Sequence, residues 1–310
     1  MLPLICKTDF GASQCKVKVT LSEETVPMGT GGPLALARAH LVAEGEPDAP
    51  FFVFNSDVTC DYPLTKMLDF HKAHGKEGTI CVTKVSDPSK YGVVVHDATG
   101  KIDRFVEKPK TFVGDEINAG LYLFSPSMLR RIPERPTSIE KEVFPAMAAD
   151  GDLFAMQLEG YWMDIGQPKD YLSGVGMHLA SLRVRSPAAL ADGAADPRIV
   201  GNVLVHPSAS LGEGCRVGPD AVIGPDCVVG AGARVSGATL LGGSSVASHA
   251  VVMDSILGWG SSVGAWGRVA GKSVIGEDVA IAAEVALEGT IVLPHKGIKA
   301  SSFEAGKIIM

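Results

Sequence analysis

The sequence predicts a protein in two parts: an α/β unit over residues 1–185 and a parallel β-helix over residues 199–310, joined by a linker at 186–198. Three observations carry this. Apolar runs of strand length alternate with helical segments through the first 185 residues. An aliphatic residue recurs at every sixth position from Ile199 onward. Glycine makes up 36 of the 310 residues, where a chain of average composition carries about 7%, and the excess lies after residue 192.

The elements of the first part follow in order. Gly29 to Glu44 reads as a turn opening a helix, with Pro33 at its start. Pro50-Phe-Phe-Val-Phe-Asn55 is an unbroken apolar run, the kind buried on both faces of a parallel sheet. Lys66 to His74 predicts a helix and Gly78 to Val85 a strand. Gly92 to Glu107 predicts two strands joined by a turn at Asp97–Lys101. Glu116 to Phe124 is a further strand, and Ser138 to Ala149 a helix opened by capping-box residues, Ser138 ahead of Lys141 and Glu142. Such alternation predicts a doubly wound sheet with ligands at the carboxyl ends of its strands. The segment from Arg185 to Pro197 has small residues between its prolines and no period, so it reads as linker.

The second part is set by its repeat. Ile199, Val205, Leu211, Val217, Ile223, Val229, Val235 and Leu241 fill eight successive slots. The phase then slips by four residues and resumes at Val251, Leu257, Val263, Val269, Ile275, Ile281, Leu287 and Leu293. Period six suits neither a helix nor an amphipathic strand. It suits a coil whose flat sides each point one aliphatic inward before turning a corner, and glycine after the aliphatic, as at Gly218, Gly224 and Gly276, tolerates the corner backbone.

Composition excludes several classes of function. With 28 basic and 35 acidic residues the net charge is −7, which attracts neither nucleic acid nor an anionic membrane. Mean hydropathy is +0.20. Yet the uncharged run from Val235 to Met253 is broken every few positions by Gly, Ser or His, whereas a spanning helix needs about 20 predominantly apolar residues. Six cysteines without a Cys-x-x-Cys pair predict reduced thiols and a cytoplasmic location. Met1 to Cys6 is too short an apolar run for a signal peptide.

Seven motifs occur in a fixed order: Pro27-Met-Gly-Thr-Gly-Gly-Pro-Leu34, Phe52-Val-Phe-Asn-Ser-Asp57, Pro88-Ser-Lys-Tyr-Gly-Val93, Phe105-Val-Glu-Lys-Pro109, Ile117-Asn-Ala-Gly120, Pro136-Thr-Ser-Ile-Glu-Lys-Glu142 and Tyr161-Trp-Met-Asp-Ile-Gly-Gln-Pro168. Together with the closing Val292-Leu-Pro-His-Lys296 and Ile308-Ile-Met310, this series resembles the sugar-phosphate nucleotidyltransferases, above all the mannose-1-phosphate guanylyltransferase branch of β-subunit type. The resemblance runs from about Lys16 to the end of the chain. It implies a Rossmann-like nucleotidyltransferase domain followed by a left-handed β-helix of hexapeptide repeats. It also implies an enzyme that joins mannose 1-phosphate to GTP and releases pyrophosphate, with Mg²⁺ as cofactor. The nucleophile of such a reaction is already an anion, so the demand is for cations and positioning, not for a general base.

The same resemblance implies roles for single residues. Asp57, at the end of an apolar strand, and Asp164 would hold the metal against the α-phosphate. Lys108 would neutralise the 1-phosphate, Glu107 would accept bonds from sugar hydroxyls, and Asn118 would read a hydroxyl. Gly92 would offer backbone over the sugar, and Gly29 to Gly32 close backbone approach to the base or ribose. As partners it implies the two substrates and a homo-oligomer or a hetero-oligomer with a related subunit. The family's Gly-x-Gly-Thr-Arg-Leu phosphate loop does not occur in the 310 residues. The expectation is that part of the nucleotide half, with its first strand, is missing and that this polypeptide alone turns over little. The alternatives are a non-catalytic partner subunit of the same family, or an acyltransferase acting through a coil histidine such as His206, His249 or His295.

Overall fold

The computed structural model describes residues 19–42 and 46–310. In chain order its elements are α1 (Gly32–Leu36), α2 (Arg38–Leu41), β1 (Phe51–Phe54), β2 (Val58–Cys60), α3 (Leu64–His74), β3 (Gly78–Lys84), β4 (Gly92–His96), β5 (Ile102–Glu107), β6 (Glu116–Phe124), α4 (Phe144–Asp150), β7 (Leu153–Gln157), β8 (Trp162–Asp164) and α5 (Pro168–Arg185). Short coil strands follow from Val203 to Ile309. Contacts divide the described residues into two compact units that do not follow chain order. One holds the residues up to Phe54 together with Leu64–Gln157; the other holds Asn55–Pro63 together with Leu158–Met310.

The first unit is a six-stranded sheet in the order β5-β4-β6-β3-β7, with β1 also paired to β6. Only β3 and β7 pair in parallel; β1–β6, β3–β6, β4–β5 and β4–β6 are antiparallel. The expected doubly wound sheet is therefore mixed, with β6 running against β1 and β3 on either side of it. The expectation for Pro50–Asn55 is corrected too. β1 pairs antiparallel with Leu121–Phe124, is half-buried, and leaves Phe54 exposed. Four apolar residues in a row satisfy the pattern of two-sided burial, but such a pattern carries no information on strand direction.

The turn between β4 and β5 is held by Asp97, whose Oδ1 accepts from Thr99 N at 2.8 Å, Thr99 Oγ1 at 2.6 Å and Lys101 N at 3.1 Å. At Ser138 the chain enters a π-helical turn over Ile139–Val143 that runs into α4. Ser138 Oγ accepts from Lys141 N, and Glu142 Oε1 accepts from Ser138 N. The capping carboxylate thus stands one residue later than in an ordinary capping box, because the π turn is wider. The end of the helix expected from Gly29 to Glu44 lies outside the described residues, as do Lys16 and the two N-terminal cysteines, Cys6 and Cys15.

Behind β3 a closed ring of hydrogen bonds fixes two histidines. Lys76 N donates to His74 Nδ1, so the proton of His74 sits on Nε2, which donates to Thr79 Oγ1. Thr79 can then donate to His71 Nδ1, His71 Nε2 to Ser125 Oγ, and Ser125 back to the carbonyl of Lys76. Both rings are neutral in this arrangement. Burial holds His71 below its usual range and, helped by the nearby His71 and Lys76, brings His74 down to about 4. His74 also stacks on Phe154 with centroids 4.4 Å apart.

The second unit opens with the antiparallel pair β2–β8, on which α5 packs through Gly174 against Ile165, Thr59 and Met163. Its coil has three flat faces of six, five and seven parallel strands, as the period of six predicts. The phase is corrected, however. The residues that point inward are Leu240, Val252 and Val292, not Leu241, Val251 and Leu293. From Val235 to Leu240, Val252 to Leu257 and Leu287 to Val292 the step is five residues, and the apparent slip of four is the sum of the first two shortenings against a period of six. An aliphatic neighbour stands beside each true slot, so spacing alone selects the wrong one.

The corners adopt left-handed backbone, at glycines such as Gly214, Gly232 and Gly243 and also at Asp226, His249, Trp266, Asp278 and His295. His249 and His295 are thus corner residues, and His206 bonds the neighbouring Ser208. Cys60, Cys81, Cys215 and Cys227 are buried and form no disulfide among the described residues. No helix among the described residues is long and apolar enough to cross a membrane.

Candidate active site

The second unit brings Asp57 and Asp164 together. Val58 lies opposite Asp164 in the β2–β8 ladder, and Ile165 N donates to Asp57 O at 2.7 Å. The strand pair therefore delivers two carboxylates, from residues far apart in the chain, to one end of a short hairpin-like ribbon. Between them stands Gly166, whose N donates to Asp164 Oδ1 at 3.0 Å. A Cβ at Gly166 would lie 3.2 Å from Asp164 Oδ1 and 3.2 Å from Asp57 Oδ2. Both oxygens thus converge on the space that the missing side chain leaves open. Asp57 is exposed and Asp164 half-buried, so the pair can be reached from solvent.

Two convergent carboxylates are hard oxygen donors and fit a hard divalent cation. Among the described residues no group of three or more His, Cys, Asp or Glu gathers to enclose a metal. A cation here would rest on two protein ligands, which suits an ion that keeps water and substrate phosphate in its shell.

The first unit brings Gly92, Glu107, Lys108 and Asn118 together on adjacent strands. Gly92 faces Glu107 across β4–β5, and Val93 faces Ile117 across β4–β6, which sets Asn118 beside the same level. A Cβ at Gly92 would stand 2.5 Å from the Phe105 ring and 3.0 Å from Glu107 Oε2. Glycine there makes room for the Glu107 carboxylate, which is largely buried, while Lys108 reaches out beside it with Nζ 3.6 Å from Oε1. The pair is thus one fixed acceptor and one extended cation. Lys108 takes left-handed backbone and its N donates to Tyr91 O at 3.1 Å.

Asn118 sits at a bulge. The β3–β6 register shifts between Ile80 and Val82, and Gly120 turns left-handed within the extra length. Asn118 Oδ1 accepts from Gly120 N at 3.0 Å and its Nδ2 donates to Tyr122 Oη at 2.8 Å. The side chain thereby holds the bulge and leaves one amide hydrogen for a ligand.

Gly29 lies elsewhere in the first unit, against Thr137. Gly31 N donates to Thr137 O and Thr137 N to Met28 O, both at 2.9 Å. Gly29 has φ +72°, and a Cβ there would stand 2.6 Å from Thr137 O. Thr30 Oγ1 adds bonds to Glu140 Oε2 and from Ile139 N. Packing alone thus requires this glycine turn, and Pro136–Glu142, given no role from sequence, is its support. Gly166 was also missed, although its place two residues after Asp164 is a signal a spacing search can find.

A family model described as nucleotidyl transferase matches residues 5–179, and one described as GMPPB C-terminal domain matches residues 199–309. The chain is 57% identical over 290 residues to a protein of Oryza sativa subsp. japonica called probable mannose-1-phosphate guanylyltransferase 1, covering 93% of this chain and 79% of that one. It is 54% identical over 291 residues to mannose-1-phosphate guanylyltransferase 1 of Arabidopsis thaliana, covering 93% and 79%. It is also 54% identical over 295 residues to the mannose-1-phosphate guanylyltransferase catalytic subunit beta of Xenopus tropicalis, covering 95% and 80%.

Proposed function

The chain belongs to the mannose-1-phosphate guanylyltransferases, a branch of the nucleotidyltransferases that as a family use a divalent metal, and from that we propose how its residues divide the work. The reaction joins mannose 1-phosphate to the guanylyl group of GTP and releases pyrophosphate. Asp57 and Asp164 hold Mg²⁺, and the single observation that carries this is their convergence on the open space at Gly166. When bound, Mg²⁺ supplies charge neutralisation at the α-phosphate. Lys108 offsets the charge of the sugar 1-phosphate, so that two polyanions can approach in line. Glu107, fixed by its burial beside Gly92, accepts from sugar hydroxyls, and the remaining amide hydrogen of Asn118 reads an acceptor on the same sugar. Gly29 keeps the turn before α1 close enough for the base or ribose to approach its backbone. No residue need act as general base, since the attacking phosphate is an anion at neutral pH.

The test is synthesis of GDP-mannose from mannose 1-phosphate, GTP and Mg²⁺ by the wild type, Asp57→Asn and Asp164→Asn, with Mn²⁺ binding followed by electron paramagnetic resonance. Each variant should weaken metal binding at least tenfold, in line with the usual effect of disturbing a metal ligand set. Wild-type metal binding in both would overturn the assignment. The reading includes a cytoplasmic location, supported by four buried cysteines that form no disulfide among the described residues. It includes an oligomer, alone or with a related subunit. On the seven-stranded face the half-buried Val222, Ile256, Val274 and Ile291, with a buried Thr239 between the first two, support that, and light scattering decides the number of chains.

A further inference from the structure

We propose that the coil carries a second nucleotide site, separate from the catalytic one, on the flat face that holds Arg216, Arg234 and Arg268. These side chains point outward, because Val217, Val235 and Val269 beside them are buried. Register sets Arg216 opposite Arg234, with Val251 between Arg234 and Arg268. Arg216 and Arg234 therefore stand on neighbouring strands about 4.8 Å apart, and Arg268 stands two strands beyond Arg234 in the same row. Like charges set opposite each other disfavour such a pairing, and among the described residues none of the three makes an ion pair. On a chain of net charge −7 this is a local cationic strip in search of an anion. A cavity of about 300 Å³ beside Arg216 and Arg234, bounded by Pro219, Ser236 and Met253, gives it depth.

A second, independent observation lies at the border of the same face. Its strands leave a corner column of Gly214, Gly232, His249, Trp266 and Glu284, all left-handed with φ between 60° and 68°. That backbone is the one the coil's other corners take as well. What sets this column apart is its pair of rings: His249 and Trp266 stack with centroids 4.4 Å apart and planes 19° from parallel. Trp266 stays 64% exposed, so the stack presents an aromatic face to solvent.

An aromatic shelf takes the face of a base, and arginines beside it take phosphates through paired N–H bonds. The chemistry is that of a nucleoside di- or triphosphate. Glu284, next to Trp266 in the column, is an acceptor at the edge of the shelf and suits guanine, whose edge carries adjacent N–H donors. A ligand here would report nucleotide level without taking part in the reaction.

The test titrates GDP, with EDTA present, into the full 310-residue chain, Trp266→Gly, and the pair Arg234→Ala with Arg268→Ala, counting sites by equilibrium dialysis. Arginine needs no metal, so the wild type should bind GDP under these conditions, and both variants should bind one GDP fewer per chain. Trp266→Gly should melt no lower than wild type, because glycine already occupies the same column in two other coils. Guanosine alone and pyrophosphate alone should each bind at least tenfold more weakly than GDP. Equal GDP stoichiometry in all three proteins would overturn the proposal, and pyrophosphate binding as tightly as GDP would overturn the nucleotide assignment. Asp57→Asn should leave this binding unchanged, which separates its failure from failure of the guanylyltransferase assignment.

Discussion

Replacing Gly166 by alanine should uncouple stability from metal response. The backbone at Gly166 is not left-handed, so alanine fits its conformation, and loss of unfolded-state freedom should stabilise the chain by roughly 0.4–1 kcal/mol. The new methyl would, however, meet Asp164 Oδ1 and Asp57 Oδ2 at 3.2 Å each, closer than a comfortable contact. Both carboxylates must then give way by a few tenths of an ångström. A misplacement of 1 Å can cost about a hundredfold in rate, so a shift of this size should cost about three- to tenfold. Measured as Mg²⁺ titrations of GDP-mannose synthesis, with Mn²⁺ binding alongside, Gly166→Ala should need several times more metal for half its maximal effect. Its melting temperature should be equal or slightly higher. An unchanged metal response would refute the convergence of the two carboxylates on one cation. A clear fall in melting temperature would show that Gly166 serves folding instead.

Three further outcomes follow from the fold. Leu240 is fully buried and Leu241 is not, so Leu240→Ala should lose about 2–5 kcal/mol and Leu241→Ala under about 1 kcal/mol in thermal or denaturant melts; the reverse order would restore the phase read from spacing. Gly29→Ala meets the Thr137 carbonyl at 2.6 Å in left-handed backbone and should cost at least about 1–3 kcal/mol, read as a drop in melting temperature. His74 has a folded-state pKa of about 4 against 6.5 when free. The unfolded chain therefore binds more protons between these values, and stability present above pH 6.5 is lost as pH falls toward 4. Histidine 74 to glutamine (His74→Gln) should flatten that acid limb in melts at pH 7 and 4.5, and an identical limb would count against the neutral ring described for His71 and His74.

Local chemistry was the legible part of this sequence. The strand Glu116–Phe124 and the turn at Asp97 stand where alternation and turn residues put them, because both depend on neighbours along the chain. The coil was legible because one slot repeats many times and errors average out. Strand direction was not, since Phe51–Phe54 would be equally apolar beside a parallel or an antiparallel partner. Phase was not, because Leu240 and Leu241 are the same residue type. At the candidate site the identities of Asp57 and Asp164 could be carried by resemblance. The reason they can act together lies in a glycine with no side chain to advertise it. The clasp between Gly31 and Thr137 joins segments over 100 residues apart, and nothing in either segment names the other.

Up to Ile298, length in the coil varies at one place only. Over that stretch every step from the seven-stranded face to the six-stranded face, and from there to the face of the arginine ladder, takes six residues, whereas the remaining corner takes five or six. That corner behaves as an expansion joint: a single codon gained or lost there shifts no inward side chain, while the same event on either other corner rotates the whole downstream stack out of the core. Insertions of tags or labels into this coil therefore have one address, between Val252 and Leu257 or its equivalents one turn up or down.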